Sequence, residues 1–149
     1  MAVDCAMDRK LMKTNFEDNL PVKPRADVVI RFANQSDLLQ IAHIARVTWD
    51  ATYNKTIGAE NRREFLQRAY KPESLAEAID AAGHWFYVVE FMAEVVGFGH
   101  FLRRYHPSQA RAELARLYVL PGYQSVGRGE AIMKRGFSDL ARAGIEQCF

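Results

Sequence analysis

The sequence predicts an α+β (mixed α/β) domain, a largely antiparallel central sheet flanked by helices, and three observations carry that expectation. The order of elements is one: a β-branched run, three helical pieces, three strand-like runs in succession, a long helix and the start of a further strand. The short connection between the first two of the middle runs is another, because neighbours so joined form an antiparallel hairpin. Composition is the third: 149 residues, 49% hydrophobic and 26% charged, suffice for one domain with a real core.

Residues 1–27 are polar, lack sustained periodicity and end in Pro21-Val22-Lys23-Pro24. They are expected to form an N-terminal extension outside the core, with a short helix at 7–16. The domain, residues 28–149, opens with the strand Val28-Val29-Ile30-Arg31-Phe32. Ser36 and Asp37 are expected to cap a helix whose apolar positions Leu38, Ile41, Ala42, Ala45 and Trp49 keep the helical period. Residues 60–69 form a second helical piece with Phe65, Leu66 and Ala69 on one side. Pro72 is expected to interrupt, and Ser74-Leu75-Ala76-Glu77 has the capping-box pattern for a third helix ending at Gly83. Residues 85–89 and 95–101 are aromatic and β-branched and predict the hairpin. A polar loop, 103–112, leads to a strand at 113–119 that Pro121-Gly122 stops. Residues 130–143 have helical spacing at Ala131, Ile132, Phe137, Leu140 and Ala141, with Gly144 as the C-cap, and 145–149 start another strand.

Charge narrows the classes of partner. A net charge of +2 is too small for a dedicated nucleic-acid binder. Residues 101–149 hold 8 of the 20 basic and only 4 of the 18 acidic side chains, which suits an anionic small ligand. Cys5 and Cys148 give neither a disulfide framework nor metal-ligand spacing, and no metal is expected. The start of the chain is charged and has no apolar core, and Glu90 and Glu94 cut the most apolar stretch, 85–102. No membrane partner is expected, and the expected location is cytoplasmic.

The segment from Leu117 to Gly129 carries the chemistry. A strand runs into Gln124-Ser125-Val126-Gly127-Arg128-Gly129, and that turn opens a helix. First-turn amides of a helix lack intrahelical acceptors, and the helix dipole adds partial positive charge there. Gly127 and Gly129 remove side chains that would block close approach, so a pyrophosphate fits the helix N-terminus. Two glycines one residue apart also describe a plain surface turn. A dinucleotide-binding fingerprint needs three glycines and a later acidic residue, and a P-loop needs Gly-Lys-Ser/Thr; neither pattern is present.

Over 112–136 this pattern resembles the GNAT superfamily of acyl-CoA N-acyltransferases, whose central motif is Gln/Arg-x-x-Gly-x-Gly/Ala after a strand. The upstream order of elements is similar too, so the resemblance covers residues 28–149. It implies acetyl-CoA as co-substrate and transfer of its acetyl group to a primary amine, with polyamine-like molecules ahead of protein N-termini or lysines. By motif position the turn residues Gln124, Ser125, Val126, Gly127, Arg128, Gly129 and Glu130 hold the CoA pyrophosphate. The main chain of Leu117, Tyr118 and Val119 pairs with the pantetheine arm.

Such a reaction needs a base to deprotonate the amine and a fixed donor for the oxyanion. Glu113 stands six residues before Val119, a spacing at which histone-acetylating members of the superfamily place their general base. Strict alternation puts Glu113, Ala115, Leu117 and Val119 on one face; the other account of Glu113 is an ion pair with Arg111 or Arg116. The segment Thr48-Trp49-Asp50-Ala51-Thr52-Tyr53-Asn54 resembles the region that borders the acceptor in polyamine-acetylating relatives. There Trp49 and Tyr53 offer aromatic faces to a cation with Asp50 as counter-charge, unless Trp49 is simply core. His43 and His100 read as structural histidines. Full members of the superfamily continue beyond the strand beginning at Ile145, so the resemblance predicts a C-terminally incomplete sheet. That chain would either be active or serve as a CoA-binding or interaction scaffold, and its unpaired edge would favour a homodimer.

Overall fold

Alternation and helical spacing resolve, among the described residues, into six strands and four helices. In chain order they are β1 (Val3–Asp4), β2 (Val28–Phe32), α1 (Leu38–Tyr53), α2 (Ala59–Ala69), α3 (Pro72–Asp80), β3 (His84–Phe91), β4 (Glu94–Arg104), β5 (Arg111–Val119), α4 (Arg128–Arg142) and β6 (Gln147–Cys148). The computed structural model describes residues 3–4 and 28–149, and the expected helix at 7–16 lies outside the described residues. One sheet runs in the order β1-β6-β5-β4-β3-β2, antiparallel throughout except where β5 meets β6. Val3–Asp4, expected outside the core, instead pairs with Gln147 and Cys148 at the sheet's edge, where strand main chain offers unpaired groups.

The β3–β4 hairpin turns through Met92 and Ala93, both at positive φ (51° and 65°), the twist that a tight two-residue turn needs. Alternation then sorts side chains to two cores. Ile41, Ile44 and Ala45 of α1 and Leu75 of α3 pack on Phe86, Val88 and Phe98. On the opposite face Ile132 and Leu140 of α4 pack on Tyr87, Val89, Val96 and Phe101. Each such fully buried side chain contributes about 1.5–3 kcal/mol. α4 lies unusually close to the sheet, since a Cβ at Gly99 would stand 2.4 Å from Ile132 Cγ2 and one at Gly136 would stand 2.3 Å from Phe101 Cε2.

Two helix starts differ from expectation. Asn34, not Ser36 or Asp37, provides the cap: its side chain accepts the Ser36 amide at 2.9 Å ahead of a short 3-10 turn, Gln35–Asp37. The Asp37 carboxylate reaches back to the Asn34 amide at 2.8 Å and takes two hydrogen bonds from Arg31, at 2.7 and 2.9 Å. Arg31 also bonds Glu90 on β3, tying strand to helix. Burial favours the neutral form of Asp37, but the Arg31 and Asn34 hydrogen bonds outweigh it and hold the carboxyl below its ordinary value. Pro72 opens α3 instead of interrupting, because a first-turn position has no use for the missing N–H. Ser74 and Glu77 consequently sit inside the helix, which ends at Asp80, short of Gly83.

Candidate active site

β5 is where the site begins, and its register departs from strict alternation. Gly97, Gly99 and Phe101 on β4 face Val119, Leu117 and Leu114, whereas Phe98, His100 and Leu102 face Tyr118, Arg116 and Glu113. One extra β5 residue, Ala115, is inserted between these pairs as a bulge. The bulge corrects the expected alternation: Glu113 lies on the face of Arg116 and Tyr118, while Leu117 and Val119 belong to the face covered by α4. A single inserted residue moves everything before it to the other side of the sheet.

After Val119 the chain makes a short 3-10 turn, Pro121–Tyr123, and enters the glycine-bearing loop. Gln124 Nε2 donates to Val119 O at 2.7 Å and closes the loop onto the strand end. Ser125 and Gly127 both adopt left-handed backbone, φ 63° and 80°. With them, the amides from Ser125 to Glu130 make no hydrogen bond among the described residues; the first amide of α4 to find a carbonyl is Ala131, bonded to Gly127 O at 2.9 Å. Six successive free donors at a helix N-terminus form a nest for an anion. Arg128 acts on this nest through its side chain as well: the guanidinium lies 4.4 Å from the Phe91 ring and 5.5 Å from that of Tyr123, and donates to Tyr123 O at 2.9 Å. It fastens the loop to the β3–β4 hairpin, a role that no local pattern in the sequence signals.

The outer edge of β5 is open next to this nest. β6 pairs only with Arg111 and Ala112, with two further bonds at Phe149 to Ala112 O and from Leu114 N. Leu120 N donates to Val96 O, so residues of its parity face β4 and the main chain of Leu117 and Val119 faces outward. From 115 to 119 that edge has no strand partner among the described residues. The nest and the open edge together fit a ligand with a phosphate end and an amide-bearing arm.

On the face away from α4 lies an aromatic and basic group. Trp49 Nε1 donates to the Tyr118 hydroxyl at 3.1 Å. The Trp49 ring stacks on Phe65 at 4.3 Å and meets Tyr53 at 4.7 Å, so both neighbours cover it, and Asp50 is ion-paired with Arg62 at 3.1 Å. Tyr53 remains at the surface, 36% exposed. Tyr70, whose hydroxyl interacts with Tyr118, is shifted upward by burial and by that hydrogen bond. Glu113 pairs with Arg104 at 2.5 Å across the strands, not with Arg111 or Arg116. His100 bonds the His84 ring at 3.0 Å, and burial followed by the charge of Arg116 and the neighbouring His84 pulls it down to about 3, so it stays neutral. His43 is at the surface, 3.2 Å from Arg46.

A strand ends in a run of free amides at a helix N-terminus, with its edge open beside it, and the family to which the chain belongs accords with that arrangement. Residues 40–148 match the acetyltransferase (GNAT) family, and the chain belongs to that family, whose co-substrate is acetyl-CoA. Among solved structures it is similar to the PaiA N-acetyltransferase of Thermoplasma acidophilum in complex with coenzyme A: 23% identity, 82% of this chain and 77% of that one covered, TM-score 0.76. A GCN5-related N-acetyltransferase from Ralstonia eutropha gives 18% identity, coverage of 83% and 82%, and a TM-score of 0.68. An aminoglycoside acetyltransferase from an uncultured soil metagenomic sample, in complex with sisomicin, gives 16% identity, coverage of 82% and 75%, and a TM-score of 0.60. No curated protein matches the chain in sequence. Among the described residues no helix is long and apolar enough to cross a membrane.

Proposed function

We propose that this chain transfers the acetyl group of acetyl-CoA to a primary amine, on a small molecule such as a polyamine or on a protein. The six free amides from Ser125 to Glu130 carry the proposal, because so many unpaired donors at a helix N-terminus suit a pyrophosphate. Gln124 shapes that turn, and Arg128 fixes it. The outward main chain of Leu117 and Val119, with Tyr118 between them, pairs with the pantetheine arm and supplies an amide to the acetyl oxygen. Bound acetyl-CoA supplies an activated thioester. Glu113 takes a proton from the substrate ammonium, the freed amine would attack the thioester carbonyl and displace the CoA thiolate, and Trp49 and Tyr53 border the acceptor's approach. Acetyl-CoA should raise the melting temperature of the chain, as a ligand of the native state must, and amines should provoke thiol release. An unchanged melting temperature at millimolar acetyl-CoA would refute the assignment.

We also propose a two-fold dimer, paired at the β1–β6 end of the sheet and away from the stretch of β5 that takes the pantetheine arm. Light scattering at micromolar concentration should then report twice the chain mass. A stable monomer that still binds acetyl-CoA contradicts the dimer and leaves acetyl transfer standing.

A further inference from the structure

We infer that the preferred acceptor carries an anionic group, a carboxylate or phosphate, beside its amine, and that Arg116 binds it; this rests on the acetyl-transfer function proposed above. α4 covers the Leu114–Leu117 side of β5, with Ile132 seated over Gly99. On the opposite face α1 and α3 pack over Phe86, Val88 and Phe98, and an amine is taken to reach the open edge on that side, past their end. There β4 and β5 present three guanidinium groups (Arg104, Arg111 and Arg116) and one carboxylate, Glu113. The carboxylate is already paired with Arg104, and the neutral His100 offers no charge of either sign.

Arg116 is the distinctive member. It is half-buried and makes no ion pair with a carboxylate among the described residues. Its guanidinium lies 4.7 Å over the Tyr70 ring and has one long contact, 3.5 Å, to Ala69 O at the end of α2. A guanidinium has five donors in a rigid fork, and here most of them are unspent. A half-withdrawn charge without a counter-ion is unfavourable until an anion arrives. The Tyr70 ring and the α2 carbonyl hold the fork in place in advance, which is how an arginine reads a carboxylate or phosphate in two-point fashion.

A polycation finds less. The Trp49 ring is covered by Phe65 and Tyr53, and the Asp50 carboxylate is engaged by Arg62. The Trp49 ring must part from Phe65 or Tyr53 to receive an ammonium group. At Asp50, still half exposed, the Arg62 charge opposes a second cation, as do the guanidinium groups of the strand face beyond.

The test measures thiol release by the full chain with glutamate, glucosamine 6-phosphate and spermidine. It is paired with calorimetric titration of N-acetylglutamate and N-acetylspermidine, in wild type, Arg116→Gln and Arg116→Lys. Anion-bearing amines should be preferred. Arg116→Gln should raise their KM by about tenfold or more, with kcat and the KM for acetyl-CoA nearly unchanged. N-acetylglutamate binding should weaken in proportion, and Arg116→Lys should restore part of it. A preference for spermidine, equal losses for all amines, or no anion-dependent binding in the titration would overturn the inference; equal losses would identify Arg116 as a staple between β5 and α2. Failure of acetyl-CoA to stabilise the wild-type chain would instead overturn the function on which the inference rests.

Discussion

In the proposed function the two ends of β5 recognise by different means. At its C-terminal end the proposed anion nest is made of main chain, six amides without hydrogen-bond partners around left-handed backbone at Ser125 and Gly127. Toward its N-terminal end the acceptor face is made of side chains: Glu113, Arg116 and Tyr118, placed by the Ala115 bulge. Main-chain recognition depends on conformation and tolerates changes of side chain that keep it. Side-chain recognition depends on register, and one inserted residue redirects it.

The largest effect expected from breaking this contrast comes at the nest. Gly127→Glu places a carboxylate among the amides and a side chain at φ 80°, while a Cβ there meets no atom within 4 Å. The domain should fold, with a loss of about 1–2 kcal/mol for the left-handed conformation, and acetyl-CoA binding by calorimetry should vanish. Retained affinity would move the cofactor elsewhere.

Next comes the side-chain end. Glu113→Gln should lower turnover by about 10²–10⁴-fold and leave acetyl-CoA affinity unchanged. The Arg104 pair is half exposed, with side-chain exposures of 52% and 29%, and such pairs contribute only about 0–1 kcal/mol. Arg104→Gln removes the pair and keeps the carboxylate, so its turnover should stay within about tenfold of wild type if the base assignment holds. Equal losses in the two variants would mark the pair as structural.

The smallest effect lies outside the site and serves as a control. Asp37→Asn should destabilise the fold by about 1.5–3 kcal/mol through its hydrogen bonds to Arg31, without changing the KM for either substrate. The sign with pH follows from the lowered carboxyl: its contribution is present above the ordinary value of 3.8 and is lost as pH falls through the lower folded-state value. Acid melting curves should show wild type losing this increment below about pH 4 and the variant lacking it.

The same contrast explains what the sequence makes legible. The nest is readable because glycine spacing and a helix start are local features, and Gln124, Gly127 and Gly129 stand in the motif itself. The β3–β4 hairpin and the long strand after it are local patterns too. The face of Glu113 is not readable, because nothing about Ala115 as a residue type marks a bulge; pairing with β4 decides it. The Arg31–Asp37–Glu90 tie joins residues up to 59 positions apart and is not readable locally. The Asn34 cap is a local box with Asp37, and neighbouring cap-type residues, Ser36 and Asp37 themselves, obscure it. Pro72 is readable in principle, since proline is favoured at a first helical position, but a capping-box pattern two residues later competes with it.

The glycines where α4 meets the sheet set a length. Gly99 and Gly136 determine how deeply the helix settles against the sheet, and the helix carries the amide nest at its tip. The separation between the nest and the outward amides of Leu117 and Val119 is thus gauged from below, by side chains that touch no ligand. In the proposed function a pantetheine arm has a limited reach, so raising α4 would displace the thioester relative to Glu113. A shift of about 1 Å in such a geometry costs about 10²-fold in rate. Two missing methyl groups in the core act as the calibration of the active site.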